Sequence, residues 1–161
     1  MSEQGASLAA QSQPAAQFAL QRIYIKDTSF ESPRAPAGFR SEWKPHVNME
    51  LNTTHTSIEQ DMYEVVLGIT VTARNDAEDV IYLIEVQQAG IFSIRGLEPE
   101  PLAQTLGSFC PSVLFPYARE LIDSMAVRGS FPPLMLPPTN FDALYAEAKK
   151  RAAVGESAQP H

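Results

Sequence analysis

Four stretches of the chain alternate apolar and polar residues with the period of two that sends successive side chains to opposite faces of a strand. Val47 to His55 does so most cleanly, setting Val47, Met49 and Leu51 against Asn48, Glu50 and Asn52. Tyr63 to Ala73 turns Tyr63, Val65, Leu67, Ile69 and Val71 inward, and Val80 to Gln87 does the same with Val80, Tyr82, Ile84 and Val86. The stretch from Phe18 to Phe30 is rich in aromatic and β-branched residues; its odd positions place Ile23, Ile25, Asp27, Ser29 and then Glu31 on one face. Alternation with one wet face predicts an antiparallel sheet. The residues from Asn75 to Asp79 supply turn chemistry for a hairpin between the last two strands.

Between the first two strands, Pro33, Pro36, Gly38 and Pro45 interrupt hydrogen-bonded structure and predict a long ordered crossover that carries Phe39 and Trp43 away from the regular core. After the sheet the period lengthens. Pro99 to Leu106 predicts a short helix broken near Gly107, and a main helix follows from Cys110-Pro111 to about Arg128, with Gly129 as its stop and Pro116 as a place to bend. Spaced at roughly 100° per residue, Val113, Leu114, Tyr117, Ala118, Leu121, Ile122, Met125 and Ala126 form a broad arc, leaving a narrow remainder to Arg119, Glu120 and Asp123. Such an arc covers roughly 200°, about twice the ordinary core-facing stripe, so this helix is expected to pack on its own sheet and on a second body, most simply another copy. The run from Phe131 to Pro138 is expected to lie extended on apolar surface. Thr139 and Asp142 have the spacing of an N-cap and a first-turn carboxylate for a terminal helix showing Phe141, Leu144, Tyr145 and Ala148 on one side. These elements predict an α+β domain over residues 18–153, flanked by a disordered N-terminal extension (1–17) and a disordered tail (154–161).

Composition narrows the function classes. With 12 basic and 19 acidic residues, a net charge of −7 and a pI near 4.9, the chain would repel phosphate backbones, and a nucleic-acid partner is not expected. No run approaches the roughly 18 apolar residues of a membrane span, and residues 1–17 lack the basic start and apolar centre of an export signal, so a cytoplasmic protein is expected. The lone Cys110 has no internal disulfide partner and reads as a core thiol, since no base and orienting group accompany it. His46 and His55 fall on opposite faces of the second strand without a Cys or carboxylate cluster, so neither metal nor cofactor is expected. The spacing of Gly90, Gly96 and Gly107 fits no nucleotide-binding fingerprint. No catalytic constellation emerges, whereas the outer sheet face combines Ile25, Ile81 and Leu83 with Asp27, Glu31 and Glu85, as a docking face for a basic, partly apolar partner would.

Five ordered segments then carry a family resemblance: QRIYIKDTSFE from Gln21, YEVVLGITVTA from Tyr63, EVQQAGIFSI from Glu85, LGSFCPSVLFPYARELI from Leu106 and NFDALY from Asn140. Together they resemble the SecB protein-export chaperones over about Phe18 to Ala148. The resemblance implies an ATP-independent holdase that keeps unfolded precursor proteins competent for translocation and delivers them to the motor ATPase SecA. It implies a homotetramer, a dimer of dimers held by its long helices, for which Tyr117, Leu121, Ile122 and Met125 are the candidate contacts. It further implies that Asp27, Glu31, Leu83 and Glu85 receive the basic, zinc-bearing C-terminal segment of SecA, the zinc belonging to the partner. For client capture the candidates are Trp43, Val47, Met49, Leu51, Tyr82 and Leu144, each of which could instead be ordinary core. Two alternatives stand beside this reading: a SecB relative dedicated to one client such as an antitoxin, and a small-molecule enzyme using the grooves as a pocket.

Overall fold

The computed structural model describes residues 15–157. Four antiparallel strands, β1 (Gln17–Glu31), β2 (His46–Glu59), β3 (Met62–Arg74) and β4 (Val80–Arg95), lie in the order β1-β4-β3-β2. Two tight hairpins make the β2-β3-β4 meander. Asp61 takes the left-handed conformation in the first (φ 61°), as Glu78 does in the second (φ 63°), where the Asn75 side chain accepts from the backbone N–H groups of Ala77 and Asp79 at 3.0 Å each. The crossover carries the chain from β1 at one edge to β2 at the other and is tied to the second hairpin by Arg34–Asp79 at 2.8 Å. The expected strands are all present, each longer than its alternating segment; β4 in particular runs on to Arg95.

Helix α1 (Pro99–Gln104), a π turn (Thr105–Phe109) and α2 (Cys110–Arg128) then form one uninterrupted rod. The expected break at Gly107 is absent because the wider turn absorbs the glycine without ending the hydrogen-bonded ladder. The rod lies over β3 and β4, where Leu114, Ala118, Ile122 and Ala126 meet Val65, Leu67, Ile69 and Ile84, all at most 1% exposed. Fully burying such a side chain stabilises the fold by about 1.5–3 kcal/mol. Gly129 ends α2 with an ordinary negative φ of −78°, so a left-handed stop is not its role. A Cβ there would sit only 3.0 Å from Cε1 and Cε2 of Phe30; the glycine makes room for that ring.

The proline-rich run 131–138 lies on the end of this core, with Phe131 and Leu136 buried and the carboxylate of Asp123 accepting from the N–H groups of Leu134 and Met135 at 3.0 Å each. Phe131 is where the crossover's apolar cargo lands. Trp43 stacks on it at 5.3 Å, and Phe39 and Tyr82 pack tilted against it at 5.4 Å and 4.9 Å between centroids. Helix α3 (Phe141–Ser157) follows. Its cap is Asn140, not the expected Thr139: the Asn140 side chain accepts from Ala143 N–H at 3.0 Å. The helix extends through Ser157, so residues 154–157 are not a disordered tail, and Gln17 belongs to β1 rather than to an N-terminal extension. Ala15 and Ala16 precede β1 without regular structure, and residues 1–14 and 158–161 of those two expected disordered segments lie outside the described ones.

Tyr82 is fully enclosed, yet its hydroxyl has no hydrogen-bond partner among the described residues, and burial followed by the negative charge of Asp123 pushes its ionisation up to about 12. Denaturant unfolding at fixed protein concentration should therefore find Tyr82→Phe as stable as the parent or more so, because no hydrogen bond is lost. Tyr82→Ala, which empties the centre of the aromatic cluster, should cost about 3–5 kcal/mol.

Candidate functional site

Two surfaces remain once the core is assigned: the sheet face away from the helices, and the helix-side margins that the rod only partly covers. The first depends on two bulges in β1. Register shifts between Leu20 and Arg22 and between Ile25 and Asp27 each add a residue, and each reverses which parity faces the helix. Phe18, Leu20, Ile23 and Ile25 therefore stand on the helix side, opposite Ile94, Phe92, Gly90 and Gln88. Asp27, Ser29 and Glu31 stand on the outer side, opposite Gln87, Glu85 and Leu83. The expectation that Ile25 shares a face with Asp27 and Glu31 is thus corrected, since strict alternation does not survive a bulge.

All four expected docking residues converge on the outer face. Leu83 and Glu85 occupy alternate outer positions of β4, Glu31 lies beside Leu83, and Ser29 Oγ donates to Glu85 at 3.4 Å. Thr70 and Thr72 of β3 continue the patch on the far side of Glu85 and Leu83. Further along the same face, Lys26 Nζ lies 2.7 Å from Glu64, and Tyr24 donates its hydroxyl to the other oxygen of that carboxylate. Those hydrogen bonds, from Lys26 first and Tyr24 second, hold the Glu64 carboxyl below its ordinary range. Burial and the bond to Glu64 push the Tyr24 hydroxyl up to about 12. Ser29, Tyr24 and Glu64 escape a sequence reading because nothing local marks cross-strand partners.

The second surface is a groove of about 670 Å³ between β2 and α3, lined from β2 by Met49, Leu51 and His55, from the rod by Ala103 and Gly107, and from α3 by Leu144, Tyr145 and Ala148. His55 and Ala103 also line an adjoining depression of about 500 Å³ with Tyr63, Leu97 and Leu102. Of the six expected client contacts, Met49, Leu51 and Leu144 meet here. Val47 is exposed on the same face of β2, outside the groove lining. Trp43, 37% exposed, borders a separate depression of about 570 Å³ in the crossover, with Arg34, Glu42 and Ile81. Tyr82 has 0% exposure and offers a ligand no surface: Trp43, Phe30 and Phe131 pack over it. Among the expected interface residues, Tyr117 is half exposed and Leu121 and Met125 are partly buried against the core, whereas Ile122 is enclosed by its own chain. The 100° wheel includes it because it cannot separate the arc that meets the sheet from the arc beyond.

His46 pairs with Asp76 at 2.7 Å on the outer side of β2, and His55 points to the groove side. Among the described residues no three His, Cys, Asp or Glu side chains gather to hold a metal, and no helix is long and apolar enough to cross a membrane. Cys110 is buried, and that burial pushes its thiol up to about 12.

Comparison with known proteins gives one consistent result. The family described as preprotein translocase subunit SecB matches residues 10–152, starting ahead of the Phe18 boundary expected for the resemblance. The chain is 62% identical over 141 residues to the protein-export protein SecB of Hahella chejuensis, covering 88% of each. It is 55% identical over 158 residues to that of Marinobacter nauticus, covering 96% of this chain and 94% of the relative. Among solved structures, the SecB-like chaperone of Mycobacterium tuberculosis, in complex with a peptide from an antitoxin, shares the fold with a TM-score of 0.62 at 20% identity, covering 74% of this chain and 88% of that one.

Two measurements test the geometry. A depressed Glu64 pKa stabilises the fold above the ordinary carboxylate range, and that contribution is lost as pH falls through the folded-state value. Chemical denaturation should find Glu64→Gln less stable than the parent at pH 7, with the gap closing below about pH 4; a gap that is constant with pH counts against the network. Thiol titration at pH 8 should leave Cys110 unlabelled in the native protein and label it fully in denaturant.

Proposed function

The chain belongs to the SecB family, whose members are chaperones of protein export rather than enzymes, and from that premise we propose that it holds unfolded preproteins in its apolar groove and presents them to SecA through its acidic sheet face. The observation that carries the export role is the match over residues 10–152, together with 55–62% identity to protein-export relatives along nearly their whole length. It works as a holdase in the cytoplasm. An extended client segment exchanges water for contact with Met49, Leu51 and Leu144, while Val47 and Trp43 offer further apolar contacts beyond the groove. Several weak patches acting together give avidity without folding the client. No hydrolysis step is required, because a passive binder shifts populations, and release follows competition at the motor.

The acidic face supplies the address. Glu31 and Glu85 flank Leu83, and Asp27 continues the acidic row further along β1 opposite Gln87, so a basic segment with one apolar side chain finds charge and contact together. The zinc-bearing terminal segment of SecA has that chemistry. On the helix side the rod touches β1 only in places, Phe109 against Phe18 at 5.0 Å between ring centroids and Met125 beside Thr28, leaving Phe18, Leu20 and Ile25 from 41% to 50% exposed, with Phe109 and Tyr117 about half exposed on the rod. A second copy covers this apolar margin in the proposed dimer of dimers, with Tyr117, Leu121 and Met125 at the helix contacts.

A reading as a chaperone dedicated to one client is supported only by the antitoxin peptide bound to the Mycobacterium tuberculosis relative, at 20% identity, and is the weaker of the two.

Stoichiometric chain without nucleotide should suppress light scattering by an unfolding precursor; no suppression would sink the holdase reading. Reversing the charge of Asp27 and Glu85 together should weaken SecA binding in titration calorimetry at least about tenfold, roughly 1.4 kcal/mol, leaving client capture intact. Native mass measurement should find four copies per particle, and a monomer would overturn the assembly.

A further inference from the structure

The π turn Thr105–Phe109 sits between α1 and α2 at the place where α3 packs. A π turn widens the helix locally and re-phases the side chains that follow. Near its centre, a Cβ on Gly107 would lie 2.6 Å from Cδ2 and 2.8 Å from Cε2 of Tyr145, far inside the roughly 3.5–4.0 Å of normal carbon contact. The tyrosine ring therefore rests directly on the glycine backbone. Around this seat, Phe141 packs edge-on against Phe115 at 5.7 Å between centroids, buried Ser108 donates to Asp142, and Lys149 pairs with Glu100. The contacts ascend α3 while they descend the rod, so α3 lies antiparallel on it, with its packing concentrated on the π turn rather than on the sheet. Leu144, Tyr145 and Ala148 then form the α3 wall of the groove, facing Met49 and Leu51 on β2.

We propose that Gly107 is the positioning residue of this groove: lacking a side chain, it seats Tyr145 on the π turn and so sets how far α3 stands from β2. The proposal rests on the groove being the client site. It differs from a purely structural role in the sign of its effect. Alanine is favoured over glycine inside a helix, so a Gly107 that only had to be helical would yield a more stable alanine variant with an unchanged groove. A glycine that seats Tyr145 yields an alanine variant whose α3 is displaced.

The test uses the full chain, with reduced, carboxamidomethylated α-lactalbumin as a permanently unfolded probe. In Gly107→Ala, amide exchange across residues 141–157 should accelerate by about tenfold and probe affinity should fall about fivefold or more, while SecA binding is retained. In a Tyr145→Ala background, where the clashing ring is gone, adding Gly107→Ala should change neither readout further. Unchanged α3 exchange in the single variant, or an equal effect of Gly107→Ala in both backgrounds, overturns the seat. Accelerated exchange with unchanged probe affinity overturns the link between seat and groove. Met49→Glu in the same assay then separates the two ideas: if it weakens probe binding, only the role of Gly107 fails, and if it does not, the groove reading fails as well.

Discussion

One helix cannot cover a sheet four strands wide. An α-helix with its side chains is about 10–12 Å across, whereas four strands at about 4.8 Å spacing need roughly 15 Å from first axis to last. The rod from Pro99 to Arg128 lies over β3 and β4, where the side chains of least exposure are found, and both edge strands keep apolar residues turned toward a helix layer that covers them only in part. On the β1 margin this leaves Phe18, Leu20 and Ile25 from 41% to 50% exposed, the surface proposed for a second copy. On the β2 margin α3 stands off the sheet and leaves the groove. The proposed assembly and client capture are thus two responses to the same shortage of helix.

The outer face follows different physics. Its inhabitants are set by register, and the bulge between Ile25 and Asp27 is what divides β1 into an apolar helix-side part and an acidic outer part. Charge is also managed unevenly along this face. Glu64 is satisfied by Lys26 and Tyr24, whereas among the described residues Asp27 and Glu31 pair with no cation and the Glu85 carboxylate meets the Ser29 hydroxyl. Carboxylates held beside an apolar Leu83 retain their field for a basic partner, and nearby threonines keep the rest of the patch polar.

Much of this is legible in the sequence. Period-two alternation survives intact in β3 and in the first half of β4, so Val65, Leu67, Ile69, Tyr82 and Ile84 could be assigned to the core correctly. The segments that resemble SecB marked the family, which comparison then established over residues 10–152. The failures have identifiable causes. A bulge has no side-chain signature, so Ile25 was placed on the wrong face. Gly107 has the composition of a break, but a π turn accommodates it. Ile122 is expected at a subunit contact, and Tyr82 reads both as core and as a client contact, because an apolar residue looks the same in a pattern whether its neighbour is its own chain, a client or another copy.

Local periodicity and turn chemistry, acting over a few residues at a time, are enough to dictate strands, hairpins, helices and the order in which they occur, and the ordered motifs dictate the family. Which apolar residues remain in contact with water is another matter. That depends on how far the rod reaches across the sheet, how Phe131 and Trp43 close over Tyr82, and where Tyr145 settles on Gly107. These are contacts between residues far apart in the chain. Packing geometry creates them, so only the tertiary structure could decide that Met49, Leu51 and Leu144 line a groove while Tyr82 is sealed inside.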